Sequence, residues 1–552
     1  MTIVGLQPEG RTGGREEIAA SNGPHIIVLG AGASGMTAAL AAASHGARVT
    51  LLEKGDKVGG TAAVSGGIVW APSNHHLDPA EPDNRHDALA YFDALGCDPQ
   101  RRDVLEGFVD NAADAITFIE QVTPVRFAPL PGYPDYYTDR PGARLQGGRA
   151  LDSGLFGFGA LGEWRDRVVT ADVYPLALSE TPLGGCTTAL APEIIGARIA
   201  KDERGFGQAL VGGLLAACLA HDIAIRRETE VTAIRVSDGR VAGLTLREGE
   251  EMAADAVIVA TGGFEWNVEL ARAFLRGPIA FPASPPGNRG EGLTLLMAAG
   301  AALGNMTSAW WCPTIVSGQT WDNGEPRAVP VLIERTLPGS IIVNRGGHRF
   351  CNEAVNYSAI EGAFHAFDPN SYAYPNMPAW LVFDHRYKLQ WPVASAPPGE
   401  AVPDWMVSAS SAEELGRKLG VDGTTLATTI ARFNADASNG IDPEFDRGLS
   451  SYDRFYGDRT RDGALATLGP LDTAPFYAVE MHMGVLGTNG GAKTDHVGRV
   501  VGHDGATIPG LYAVGNVMAG PTGGVYAGAG GTLGPALTYG FLAGRHAARG
   551  TN

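Results

Sequence analysis

Apolar residues first gather in the short unbroken run HIIVL at 25–29, the pattern of a parallel strand buried on both faces. GAGASG follows at 30–35, and the alanine-rich stretch 36–45 predicts a helix. ARVTLLE at 47–53 predicts a second strand, and AVIVA at 256–260 another buried one that ends at Thr261, Gly262 and Gly263. Two alternating runs between 231 and 246, joined by Ser237, Asp238 and Gly239, predict a hairpin. Buried-strand character returns at 510–515, and an alanine-rich helix over 535–548 closes the chain.

Between these runs the pattern changes. The stretch 277–292 (GPIAFPASPPGNRGEG) is punctuated by Pro and Gly and predicts a domain boundary. A second such stretch, 391–403, predicts a long loop. Ser411 and Glu414 have capping-box spacing, and Leu426, Ile430 and Phe433 mark an amphipathic helix. No repeat or heptad pattern is present. The expected architecture is α/β, with a Rossmann-type nucleotide-binding domain built from 1–277 and 470–552 and an α+β catalytic domain inserted at 278–469.

Composition narrows the function. At 44% hydrophobic and 18% charged, the chain can bury a sizeable core, which excludes a disordered or fibrous protein. Its 76 glycines are about twice the usual share, and their short clusters predict backbone lying close to a ligand. A net charge of −18 argues against nucleic acid. Five scattered cysteines without CxxC imply neither a disulfide framework nor a zinc site, and no metal is expected. They point to a reducing, cytoplasmic compartment. Residues 1–23 read as a polar, flexible lead-in without a signal-peptide core. No apolar stretch is long enough to span a membrane, which leaves peripheral attachment open.

Gly30, Gly32 and Gly35 match GxGxxG between a buried strand and a helix, and Glu53 stands near the end of the next strand. A dinucleotide fits there, with its pyrophosphate on the helix N-terminus at Ala33 and Ser34 and a ribose hydroxyl on the acidic side chain. NAD and FAD share this fingerprint. Further segments accompany it: Lys54, then Gly59, Gly60 and Thr61, then Ser65, Gly66 and Gly67. Ala260, Thr261 and Gly262 follow, then Gly515 and Asn516, and finally Gly530, Gly531 and Leu533. Together these resemble the FAD-binding flavoproteins that include fumarate reductases, succinate dehydrogenases and 3-ketosteroid dehydrogenases. The resemblance implies that these segments hold FAD and that the last helix points its N-terminus at the flavin. Gly60 stands where succinate dehydrogenases carry the flavinylated histidine, so FAD is expected to be non-covalent.

Two positions choose among the members. After RFCNE at 349–353, Tyr357 replaces an arginine of the fumarate reductases; in GVYAGAG at 524–530, Tyr526 replaces their histidine and Gly530 their second arginine. Both dicarboxylate clamps are gone. The replacements resemble the 3-ketosteroid Δ1-dehydrogenases, as do YPDYY at 133–137, AWWCP at 309–313, FD at 383–384, EFDRG at 444–448 and LGTNGG at 486–491. That resemblance implies α,β-desaturation of a 3-ketosteroid or related cyclic ketone. Tyr526 and the Gly530 amide would form the oxyanion hole, and Tyr357 would be the base with Tyr136 assisting. Tyr137 competes with Tyr136 for that place. Trp310 and Trp311 read equally as pocket wall or core, and His482 reads as structural. The expected partners are a small apolar ketone and a separate electron acceptor. The rival readings are a smaller ketone or another ring position, a fumarate-type reductase, and an FAD-binding redox sensor without turnover.

Overall fold

A computed structural model describes residues 23–550. The polar lead-in lies outside the described residues except for Gly23. One six-stranded sheet runs in the order Arg499–Val501, Thr507–Ala513, Ala256–Val259, His25–Leu29, Arg48–Leu52, Ala224–Arg226. The strands are parallel except Arg499–Val501, which pairs antiparallel at the edge. The unbroken apolar runs follow from position: Ile26, Ile27, Val28, Val257 and Ile258 are wholly buried because helices cover the sheet.

The helix Ala33–Ala43 begins earlier than its alanine content suggests, because Gly32 is its N-cap and the fingerprint forms its first turn. It packs on the final helix Leu533–Ala548. A Cβ on Gly540 would stand 2.6 Å from Ser34 O, and one on Gly544 2.2 Å from Ala38 O. Glycine and alanine on both helices are therefore what lets the two backbones approach. The hairpin forms over Val231–Ser237 and Arg240–Leu246, with Asp238 and Gly239 at φ 51° and 72°. Two positive-φ residues give the turn whose twist suits a two-residue hairpin.

The second six-stranded sheet is antiparallel, ordered Pro326–Pro330, Ala309–Thr320, Phe476–Thr488, Ala379–Phe383, Ser340–Val343, with Met406–Ala409 also on Phe476–Thr488. The expected boundary at 470 places Phe476–Thr488 on the nucleotide side, while its strand partners are those of the second sheet. Leu426, Ile430 and Phe433 are buried on the helix Gly423–Ala437. Ser411 caps the helix Ala412–Leu419 through Glu414 N, but the Glu414 carboxylate takes Ser410 N–H and Oγ–H, so the capping box closes one residue early. Among the described residues no helix is long and apolar enough to cross a membrane.

Candidate active site

The three fingerprint glycines meet three different demands. Gly30 turns at φ 98°, and its Cβ would stand 2.5 Å from Ala260 O. Gly35 packs so tightly that a Cβ would meet Gly30 O at 1.9 Å. Gly32 faces open space, with only Gly59 O at 4.0 Å. Behind it the helix Ala33–Ala43 starts with no side-chain cap and no acid in its first turn. Open room over uncapped N–H groups is the shape a pyrophosphate fills. Gly60, at φ 51°, has nothing near its missing Cβ either. FAD fits these residues.

Glu53 accepts from Ala31 N at 3.0 Å and Gly55 N at 2.9 Å, which fixes its carboxylate beside the turn. Burial pushes that carboxyl above its ordinary range, opposed by these N–H bonds. Lys54 turns to Glu291, 2.5 Å away at the surface. Gly515 reaches the same cradle, its missing Cβ 2.8 Å from Ser34 Oγ. Ser65 Oγ accepts from Gly67 N, and Gly66 packs on Leu178, which shapes the bend after Thr61. Thr261 and Gly262 follow Ala260, whose N–H bonds Leu29 O.

A hub that the sequence reading missed lies beside Thr61. The Asn288 amide donates to Thr61 Oγ1 at 2.8 Å and to Glu265 Oε1 at 2.7 Å. Ser284 Oγ and Thr488 N also donate to Glu265, which is buried with no ion-pair partner among the described residues, so burial raises its pKa. With its oxygen already accepting, Thr61 keeps its own O–H for another group. Asn288 falls in the Pro/Gly stretch that reads only as a boundary.

Three tyrosines from distant loops come together in a buried aromatic cluster. Tyr136 Oη donates to Tyr357 Oη at 2.8 Å. The Tyr526 ring lies 5.4 Å from Tyr136 and 5.5 Å from Tyr357. Thr532 Oγ1 donates to Tyr526 Oη at 3.1 Å, leaving the Tyr526 O–H to point elsewhere. Tyr452 packs edge-on to Tyr136 at 4.8 Å, and Trp310 to Tyr526 at 5.0 Å. Trp310 also donates to Asn516 Oδ1 at 3.2 Å, so it ties the cluster to the nucleotide side. Trp311, on the opposite face of the same strand, packs on His365 in the main core. Tyr137 packs against the edge of the same cluster, and its backbone N–H donates to Tyr91 Oη at 3.1 Å. His482 packs on Phe281, outside the cluster. Tyr452, Phe455 and Tyr456, and the Thr532 hydrogen bond, are among the features the sequence reading missed.

Gly530 holds φ 89°, and its Cβ would stand 2.5 Å from Trp70 N. Close approach to the strand Val69–Trp70 therefore explains the glycine by itself, through the bond from Trp70 N to Gly530 O at 3.2 Å. The Gly530 N–H has no partner among the described residues. Gly531 N bonds Gly528 O, and Leu533 begins the final helix, which has no side-chain cap.

Burial dominates the electrostatics and pushes Tyr136 and Tyr357 well above the ordinary tyrosine value, and Tyr526 above it. Hydrogen bonds act in both directions: Tyr136 lowers Tyr357 while Tyr526 raises it, and Thr532 and Tyr357 lower Tyr526. Beneath Tyr136, Asp135 accepts from Trp70 Nε1 at 2.8 Å and from Arg149 Nη1 at 2.7 Å, and Arg149 forks onto Asp83. This buried ion network anchors the 133–137 loop.

Residues 25–533 match the family model described as FAD binding domain. A 4-oxocyclohexanecarboxylate 2-dehydrogenase of Sinomonas cyclohexanicum is 39% identical over 529 residues, 94% of this chain and 92% of the relative. A 3-oxosteroid 1-dehydrogenase of Mycobacterium tuberculosis is 35% identical over 568 residues, 95% and 98% of the two chains. The chain belongs to the 3-ketosteroid Δ1-dehydrogenase family. A crystal structure of a family member from Sterolibacterium denitrificans, in complex with 1,4-androstadiene-3,17-dione, superposes with a TM-score of 0.84 at 31% identity, covering 95% of this chain and 99% of that one. Like other flavoprotein dehydrogenases of the family, the chain is an FAD-dependent oxidoreductase acting on CH–CH groups.

Proposed function

We propose that the chain desaturates a 3-ketosteroid or related cyclic ketone between the carbons α and β to its carbonyl. In this reading 1–277 and 470–552 carry FAD, 278–469 form the catalytic cap, and the ketone lies where the two meet. When bound, FAD supplies the hydride acceptor at its N5, chemistry that no side chain here can supply. The chain's own residues handle the proton and the carbonyl charge. Tyr526 directs its free O–H at the ketone oxygen, and the unpartnered Gly530 N–H aims at the same atom. Charge that gathers on that oxygen as the α-carbon loses its proton is stabilised by these two donors. Tyr357 Oη takes the α-proton as a phenolate, after its own proton has passed to solvent, and the hydrogen bond from Tyr136 stabilises that anion. Burial favours the protonated form of Tyr357, and the Tyr136 bond opposes that effect. The surrounding aromatic rings would keep water from these hydroxyls and suit an apolar substrate.

The observation that carries this reading is the division of hydrogen bonds. One tyrosine is left as a donor by Thr532, while another receives a bond that favours its anion. The cofactor-cradle roles of Gly30, Gly32, Ala33, Ser34, Gly35, Glu53 and Thr61 belong to the same proposal. A smaller ring is the second reading, favoured by the 39% identity to a relative named for a carboxylated cyclohexanone. Incubation with an artificial electron acceptor and either androstenedione or 4-oxocyclohexanecarboxylate tests both. A product two hydrogens lighter, with conjugated-enone absorbance, is expected. Absence of such a product from both ketones would overturn the proposal, and the ketone that reacts faster chooses the ring size.

A further inference from the structure

Away from the tyrosines, three metal-ligand side chains meet at the end of the helix Arg102–Val122. His75 Nε2 lies 2.8 Å from Glu120 Oε2, and His76 Nε2 lies 2.9 Å from Glu120 Oε1. The two imidazoles stack 4.1 Å apart, and the ligand atoms all fall within 4.8 Å of one another. The Glu120 carboxylate is 12% exposed and is oriented by Phe127 N–H at 2.9 Å.

The hydrogen-bond directions decide what this cluster lacks. Thr117 Oγ1 donates its one hydrogen to Ala113 O at 3.0 Å. It can then only accept from His75 Nδ1, 3.2 Å away, which puts the hydrogen of a neutral His75 on Nδ1. His75 Nε2 is thereby left presenting a lone pair to a carboxylate oxygen. Two lone pairs facing each other at 2.8 Å need a cation between them, either a second proton on the ring or a metal ion. A carbonyl or hydroxyl partner that orients a ligating histidine through its other nitrogen is the usual outer support of a metal site.

We propose that His75, His76 and Glu120 bind a divalent transition metal of the zinc class. Two imidazole nitrogens and one carboxylate oxygen suit zinc, with a fourth position for water on the exposed side of His75. Ligand atoms around a tetrahedral zinc ion lie about 3.3 Å apart, so each His–Glu120 pair would open by a few tenths of an ångström while the widest separation, within 4.8 Å, would close. The site has no sequence signature, because adjacent histidines meet a glutamate more than forty positions away. Metal there would clip the loop 71–84 to the helix. The loop's far end carries Asp83, which holds Arg149 and through it Asp135, the neighbour of Tyr136.

The test uses tag-free, FAD-loaded protein stripped of metal by dialysis against a chelator. Zinc chloride is then titrated in competition with a chromophoric chelator, and cobalt chloride is titrated for tetrahedral absorption bands. Saturation at one equivalent is expected, with a rise in the thermal unfolding midpoint. Glu120→Gln, which still accepts from Phe127 N–H, and His76→Ala should each abolish both effects. Thr117→Val should weaken zinc by about 10–100-fold, since it removes the group that orients His75. Flavin absorbance reports that each variant is folded. No saturable binding, or one-equivalent binding that survives both ligand substitutions, would overturn the proposal.

Discussion

The Tyr136 hydroxyl donates to the Tyr357 hydroxyl at 2.8 Å, although 221 positions separate them in the chain. Two phenols that share a proton are not equivalent: the acceptor's oxygen is the one whose anion is stabilised. Tyr136 is held from below by the buried Asp135–Arg149–Asp83 network, so its direction is set before any ligand arrives. In the proposed reaction Tyr357 would therefore be the base and Tyr136 its positioning residue.

Tyr357→Phe should slow exchange of the substrate's α-hydrogen with deuterated solvent by about 10²–10⁴-fold, the usual worth of a positioned base. Ketone affinity should change little, because the carbonyl donors are elsewhere. Exchange at the wild-type rate would exclude Tyr357 as the base.

Tyr136→Phe should act differently. Removing its hydroxyl leaves Tyr357 in place but takes away the bond that opposes burial, so the Tyr357 pKa rises further. Activity depends on the ionised base, so it should increase toward alkaline pH in the wild type. In the variant that limb should move to higher pH. A pH–rate profile of kcat/KM with an unmoved limb would show that the bond is structural only.

Tyr526→Phe keeps the ring and removes one donor, so flavin reduction in a single turnover should fall by about 10²–10³-fold with FAD retained. Thr532→Val removes only the hydroxyl that leaves Tyr526 free to donate, and a smaller loss in the same assay is expected. Equal rates for wild type and Tyr526→Phe would make Tyr526 a packing residue.

How much of this could be read from the chain alone follows from how local each feature is. The fingerprint was legible because Gly35 is required by Gly30 five residues before it, whereas Gly30 itself meets Ala260, far along the chain at the end of a neighbouring strand. The two sheets were partly legible: unbroken apolar runs marked the parallel strands, but nothing local showed that Phe476–Thr488 would cross into the second sheet. Tyr136 and Tyr137 could not be separated by sequence, since neighbours in a loop differ only in which way the chain turns. The Glu265–Asn288–Thr61 hub was invisible because its members come from separate segments and none is unusual alone. Gly530 had a plausible ligand-side reason, yet contact with the Trp70 backbone already requires it.

The glycines also separate fold from cofactor. Gly35→Ala would drive a Cβ to 1.9 Å from Gly30 O, so it should destabilise the protein severely. Gly32→Ala meets no protein atom closer than 4.0 Å and should fold normally, while losing FAD to a methyl group in the pyrophosphate space. The ratio of flavin to protein absorbance, with the thermal midpoint, distinguishes the two. Full FAD content in Gly32→Ala would place the pyrophosphate elsewhere.

Stability should fall in alkali. Tyr136, Tyr357 and Tyr452 are all pushed well above the ordinary value by burial, while in the unfolded chain each titrates near 10. Above about pH 10 the unfolded state releases protons that the folded state keeps, so stability present at lower pH is lost as pH rises. Urea midpoints compared between pH 8 and pH 11 check this, and Tyr136→Phe should reduce the drop. A flat profile would contradict the buried, protonated cluster.

The central claim is that a cyclic ketone, and not a dicarboxylate, reduces the flavin. Anaerobic mixing of the FAD-loaded protein with androstenedione, 4-oxocyclohexanecarboxylate or succinate, followed at the flavin absorbance, tests it in one measurement. Bleaching by at least one ketone and none by succinate is the predicted result, since Tyr357 and Gly530 stand where carboxylate-binding arginines would be needed. Rapid bleaching by succinate with no response to either ketone would contradict the account.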